Sequence, residues 1–361
     1  MKVPYINIAN QNIALRQKLL DAASRVIDHG QLINGPEVQQ LEERLSDYLG
    51  VNHVIGVANG TAALYLSLRG LGIGKGDEVI TVANSYLATV SSIALTEAKP
   101  VLVDVDNSMN MDPLLLEAAI TSRTKAILPV HLAGKPASLN EIIKIANRHN
   151  LWVIEDAAQA IGAEYHNKKI GSLGKAGCFS LHPLKNLAAL GDGGFISTND
   201  AELACWLRKA RNHGHPNRDE CDFWSFNMRL DTIQAAFILE KLPFLQEHTE
   251  QRRANAEYYR KRLMNSNLIL PIEEKYERCV YHLFMIRSSS RDKLKIHLHE
   301  QGIETKIHYP TPIHQLTSAH NLDYKTGSLP QTETFCEQIL SLPIHSALTQ
   351  NDLDEITKYL S

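Results

Sequence analysis

From His53 onward the chain alternates short β-rich apolar runs with longer stretches whose apolar residues recur at helical spacing. HVIGVA, EVITVA, PVLVDVD, KAILPVHL and LWVIED are separated by helical patterns such as TAALYLSLRGLG and SLNEIIKIANRHN. Near-continuous apolar runs suit strands covered on both faces, so the alternation predicts βαβ units and a mainly parallel sheet flanked by helices. Upstream, residues 10–49 hold two helical patterns joined at GQLINGPEV, where glycine, asparagine and proline mark a turn. Downstream, AFILEKL is helical up to Pro243, and a strongly charged helical segment then runs to Leu263. Beyond it VYHLFMIRSS and GIETKIHYP read as strands, and KLKIHLHEQ and TETFCEQILS as helices. The expected organisation is a large α/β domain over 1–240 and a smaller α+β domain over 241–361.

Length and composition fit that picture. A chain of 361 residues is long for one core, and 44% hydrophobic with 21% charged residues is ordinary for a globular protein. A formal net charge of −3, with no basic run interleaved with aromatics, gives no support for nucleic-acid binding. Residues 1–12 lack a charged segment followed by an apolar one, and no apolar run approaches about eighteen residues, so no membrane association and a cytoplasmic location are expected. The five cysteines are scattered without a CxxC pair, which indicates neither a disulfide framework nor a zinc site. Cys178 reads as core packing.

Candidate chemistry gathers around Lys185, in the middle of GCFSLHPLKNLAALGDGGFIST. An apolar run leads into a loop presenting one lysine and returns through Gly191, Gly193 and Gly194. Loop lysines are usually solvated charges; one becomes a nucleophile only where its surroundings lower its pKa. LWVIEDAAQAIGA reads as a buried strand ending at Glu155 and Asp156, and ligands of open α/β sheets sit beyond the carboxyl ends of strands. Asp156 has a competing reading as the N-cap of a following helix, with Gln159 one helical turn on. In NGTAAL, Gly60, Thr61 and Ala62 open an apolar helix whose free N–H groups favour an anion. A lysine for a Schiff base, a strand-end aspartate and an anion seat together match the needs of pyridoxal 5′-phosphate. His308 and His314 in IHYPTPIHQ are six apart without a third ligand, so no metal is expected.

The runs NGTAAL, GDEVI, EDAAQA, SLHPLKNLAALGDGG, RNHG, NMRLDTIQAA and IHYPTPIHQ resemble, in order and over nearly the whole chain, the DegT/DnrJ/EryC1/StrS aminotransferases. The resemblance implies a fold-type I architecture with its active site at a homodimer interface. It implies transfer of an amino group from an amino acid, L-glutamate being the expected donor, to C3 or C4 of a nucleotide-linked deoxy keto sugar, for cell-surface polysaccharide or glycosylated metabolite synthesis. Carried over residue by residue, it assigns Lys185 to the imine and proton transfer, Asp156 to the ring nitrogen, Gln159 to the ring hydroxyl and Tyr86 to stacking on the ring. Ser180 goes to the phosphate, Asn227 to the phosphate of the partner's cofactor, and His308 and Tyr309 to the sugar-nucleotide cleft. Ser225 and Phe226 stand where the family more often has glycine and tyrosine. Two other readings accompany it: a sugar dehydrase or lyase on the same fold, and a non-catalytic regulatory member. Related dehydrases replace the lysine by histidine; here His182 stands three residues before a retained Lys185, which disfavours the first.

Overall fold

A computed structural model describes residues 1–360. The five expected runs form β1 (His53–Val57), β2 (Glu78–Val82), β3 (Lys99–Val103), β4 (Thr124–Ile127) and β5 (Trp152–Asp156). A small hairpin of β6 (Glu164–Tyr165) and β7 (Lys168–Lys169) leads to β8 (Ala176–Ser180) and β9 (Gly194–Thr198). The seven-stranded sheet has the order β1-β9-β8-β5-β4-β2-β3. The pairs β2–β3, β2–β4, β4–β5 and β5–β8 are parallel, while β9 runs antiparallel to both β8 and β1. Because β9 alone is reversed, the ends of β1, β2, β4, β5 and β8 open on one edge. Asp156 and Ser180 both lie there.

Helices flank the sheet or, as with Arg16–His29, pack on other helices. In the N-terminal part they are α1 (Ile8–Ile13), α2 (Arg16–His29), α3 (Pro36–Leu49), α4 (Gly60–Gly70), α5 (Leu87–Leu95), α6 (Leu116–Ala119), α7 (Leu139–Arg148) and α8 (Ala201–Ala210). On one face Leu41 and Leu45 of α3 pack on Phe179 and Phe195; on the other Leu64, Leu66 and Leu68 of α4 meet Ile55, Val57 and Cys178. Each such leucine, fully buried, contributes about 1.5–3 kcal/mol. The two cores hold the sheet edge rigid from both sides.

α9 (Thr232–Lys241) and α10 (Leu245–Leu263) are joined by a 3-10 turn containing Pro243. Then come β10 (Glu277–Arg278), β11 (Phe284–Arg287), α11 (Arg291–Glu300), α12 (Pro330–Gln338), β12 (Ile339–Leu342) and α13 (Gln350–Lys358). Tyr259, Phe284, Ile286, Leu298, Leu340 and Leu342 form a separate core with Val3. Leu283 and Met285 instead join the cluster holding Ile80 and Ile127 beside the sheet. Among the described residues no helix is long and apolar enough to cross a membrane.

Three expectations need correction. No helix follows Asp156: the N–H of Ala157 donates sideways to the Cys178 carbonyl (2.9 Å), and two turns ending at Gly162 (φ 86°) lead to β6. The helix in TETFCEQILS stops at Gln338, because the four buried residues after it pair antiparallel with β11. GIETKIHYP is no regular strand; it makes only isolated bridges, Ile303 to Val3 and Lys306 to Ser341. In the first two cases a long-range partner outcompetes local propensity.

Candidate active site

The lysine loop leaves β8 and is tied down along its length. Leu181 N–H donates to Gly193 (2.8 Å), Ala189 N–H to Leu181 (2.8 Å) and Lys185 N–H to His182 (2.8 Å). The Asn186 amide donates to the Val280 carbonyl (3.1 Å) and Lys241 Nζ to the Ala188 carbonyl (3.0 Å). The glycines act by close approach and none of the three has a left-handed φ: a Cβ on Gly194 would lie 2.5 Å from the Asn59 carbonyl carbon. Burial pushes the Lys185 amine down to about 8, while the nearby Asp156 carboxylate pulls it up. The charges of Lys185 and Asp156 therefore sense each other across the sheet edge.

Asp156 is buried, and burial raises its pKa against the opposing hydrogen bonds. The Thr89 hydroxyl donates to Oδ2 (2.7 Å) and Ala158 N–H to Oδ1 (3.2 Å). Thr89 also meets the Ser85 hydroxyl (2.7 Å), so a chain of hydroxyls orients the carboxylate. Behind it stands a fully buried pair. Ala137 N–H donates to Nδ1 of His131 (3.0 Å), so Nε2 carries the hydrogen toward Glu155 (3.1 Å). Glu155 further accepts from the N–H groups of Gly171, Leu173 and Gly174 at 2.6–2.9 Å. This pair anchors the end of β5, leaving Asp156 the one carboxylate turned to the edge.

The other expected residues are distributed around these two. Gln159 is buried, accepting from Ala133 N–H (2.6 Å) and facing the Tyr309 hydroxyl (3.5 Å). Tyr86, 59% exposed, stands at the start of α5 with its ring 5.8 Å from that of Tyr309. His308 meets the Ser341 hydroxyl (2.9 Å), whereas His314 turns to Glu333 (3.0 Å), so the two histidines serve different places. Gly60 packs on Ser180; a Cβ there would lie 2.9 Å from the serine Cβ. Asn59 caps α4 by accepting from Ala62 N–H (2.8 Å), which engages Ala62 and leaves the N–H groups of Gly60 and Thr61 to face an anion. Asn227 is exposed and lines a concavity of about 550 Å³ with Thr61, Ala62 and Tyr65 of its own chain.

Thr89, Asn59 and His131 add to the residues that the sequence singles out, where Glu155 enters only as a strand-end acid. Asn59 has a local signal, a helix-capping residue just before an apolar periodic run. Thr89 has none, since its partner is 67 positions away. The residues fit pyridoxal phosphate on the structure's own terms: a lysine with a lowered pKa, an oriented strand-end carboxylate, and a helix start whose glycine admits close approach beside a serine.

The model of the DegT/DnrJ/EryC1/StrS aminotransferase family matches residues 14–361. The chain belongs to that family. A dTDP-3-amino-3,6-dideoxy-alpha-D-galactopyranose transaminase of Aneurinibacillus thermoaerophilus is 42% identical over 357 residues, 99% of this chain and 98% of the relative. A protein of Geobacillus stearothermophilus named a pleiotropic regulatory protein is 41% identical over 365 residues, 100% and 98% of the two chains. The crystal structure of NtdA from Bacillus subtilis with bound cofactor PMP superposes with a TM-score of 0.93 at 32% identity, covering 99% of this chain and 84% of that one. The fold-type I expectation is met, and pyridoxal phosphate is the cofactor of this aminotransferase.

The lowered Lys185 pKa has a measurable consequence. Condensation with the cofactor requires the neutral amine, so capture by the apoenzyme should accelerate as pH rises through about 8 and not only near the ordinary lysine value of 10.5. At pH 7 the rate should be about tenfold below its plateau. Stopped-flow absorbance across pH 6–10 reads the midpoint, and one near 10.5 would contradict the burial argument.

Proposed function

We propose that Lys185, held opposite Asp156, exchanges amino groups between an amino acid, L-glutamate first, and a ketone at C3 or C4 of a nucleotide-linked sugar. That the chain is a sugar-nucleotide aminotransferase follows from its family and its transaminase relatives; the donor, the carbon and the residue roles are the proposal. The observation that carries the roles is the electrostatic coupling of Lys185 and Asp156 at the open sheet edge. The cofactor supplies a carbonyl carbon that condenses with amines and a protonated ring that takes up electrons when a Cα–H bond breaks. Asp156 would hold the ring nitrogen and favour its proton, while Thr89 orients the carboxylate. Gly60, Thr61 and Ser180, with the partner's Asn227, would receive the phosphate, Gln159 the ring hydroxyl, and Tyr86 would stack on the ring. Lys185, in its neutral form, would serve as the general base and acid that moves the donor's Cα proton. His308 and Tyr309 would border the sugar side, on a segment whose Tyr309 reaches Gln159 and Tyr86.

Incubation of the holoenzyme with L-glutamate should release 2-oxoglutarate, and product analysis with 3-keto and 4-keto sugar nucleotides should show an amino sugar. A regulatory reading, which the name of the Geobacillus relative invites, predicts neither. Absence of the matching 2-oxo acid with every common amino acid would remove the enzymatic roles.

Homodimerisation with shared sites is also proposed. Phe226 (59% exposed) and Leu95 (65%) line one concavity with Asn227, Trp224 (96%) stands three residues before it and Tyr86 (59%) starts α5, exposed apolar surface suited to a second copy of the chain. Mixing inactive Lys185→Ala with inactive Asn227→Asp subunits tests whether Asn227 serves its own site or the partner's. In trans, each mixed dimer holds one intact site, so up to about a quarter of wild-type activity returns on equal random mixing. Confirmed heterodimers without activity would exclude the shared arrangement.

A further inference from the structure

Between the N-terminal segment, α10 and the end of β12 lies a small cavity of about 50 Å³ that shares only His308 with the transamination roles. Its wall includes Tyr5, Arg252, His282, His308 and His345, with Leu184 closing it toward the lysine loop. Arg252 is 5% exposed, and its guanidinium donates to the carbonyls of Tyr281 (3.2 Å) and Ile344. Among the described residues no carboxylate lies within ion-pair distance of it. The Tyr5 hydroxyl and both ring nitrogens of His345, itself 3% exposed, are buried without a hydrogen-bond partner in good geometry, although Ser341 lies near the former and the Pro4 carbonyl near the latter.

A buried cation facing only neutral dipoles is unfavourable, because carbonyls satisfy its donors without neutralising its charge. Water filling the cavity would satisfy hydrogen bonds but leave that charge uncompensated. We propose that this cavity is a binding site for one small inorganic monovalent anion of the halide class, held by Arg252, the Tyr5 hydroxyl and an N–H of His345. The volume, against about 10–15 Å³ needed to hold one water, admits a small ion or a few waters and excludes an amino-acid or sugar carboxylate with its attached carbon skeleton. Burial and neighbouring positive charge push His308 and His345 down to about 4, so near neutral pH both rings are neutral and each has one N–H to offer. The anion would also steady one wall of the active site, since His308 borders the cavity and precedes Tyr309, which faces Gln159.

Two measurements on the holoenzyme decide it. Crystals soaked in bromide should show an anomalous peak beside Arg252 and His345; a peak-free cavity, or one holding water alone, overturns the proposal. In parallel, replacing gluconate by chloride at constant ionic strength, from about 1 mM to about 200 mM, should raise the thermal midpoint by about 3 °C or more. Arg252→Gln and His345→Gln should abolish or strongly weaken that response. An equal chloride response in a folded Arg252→Gln protein refutes the site, and if that variant fails to fold, the bromide map and His345→Gln still decide.

Discussion

Lys185→Ala is expected to lower kcat by about 10⁴-fold or more while leaving a folded protein that still binds pyridoxal phosphate. The loss is large because the substitution removes both the amine that condenses with the cofactor and the group proposed to move the proton. The fold should survive because the loop's fastenings belong to other atoms: Lys185 contributes a backbone N–H to His182, while Asn186 to Val280 and Lys241 to Ala188 are untouched. Cofactor binding should persist because the helix start at Gly60, Ser180 and Asp156 stand apart from the amine. Wild-type enzyme reduced with borohydride and mapped by peptide analysis should carry the cofactor on Lys185 alone. Label on any other lysine would move the catalytic assignment elsewhere.

Much of this arrangement is legible in the sequence. The five apolar runs from His53 to Asp156 are strands, and a parallel sheet brings their ends to one edge, so Asp156, Ser180 and the start of α4 were bound to gather there. What local sequence does not signal is pairing between distant segments. The turn after Asp156 looked helical because its alanines suit a helix, yet Ala157 is claimed by the Cys178 carbonyl. Ile339–Leu342 continued a helical pattern until β11 offered a strand to pair with. Thr89 gives no sign locally of its bond to Asp156, and His131 none of its pairing with Glu155; a threonine in a helix and a histidine after a strand are unremarkable until the fold juxtaposes them. The lysine's lowered pKa is likewise a property of what packs around it.

Asp156→Asn should reduce kcat/KM by about 10²–10³-fold without unfolding the protein, and Asp156→Ala by at least as much. The asparagine variant isolates charge from shape. Its amide oxygen can still accept from Ala158 N–H, and its amino group can donate to the Thr89 hydroxyl, which needs only to reverse its bond with Ser85. The local hydrogen bonds therefore persist, whereas the negative charge that would favour a proton on the ring nitrogen is gone. The same substitution should act on Lys185 in a second, separable way. Asp156 raises the lysine pKa, so its neutralisation leaves burial unopposed and the midpoint for cofactor capture should fall below about 8. Slower turnover together with an acid-shifted capture midpoint is a combination that damage to packing alone would not produce. Near-full activity in a folded Asp156→Asn enzyme would reduce Asp156 to a polar anchor of the turn after β5, and the electron uptake would then need another source of support.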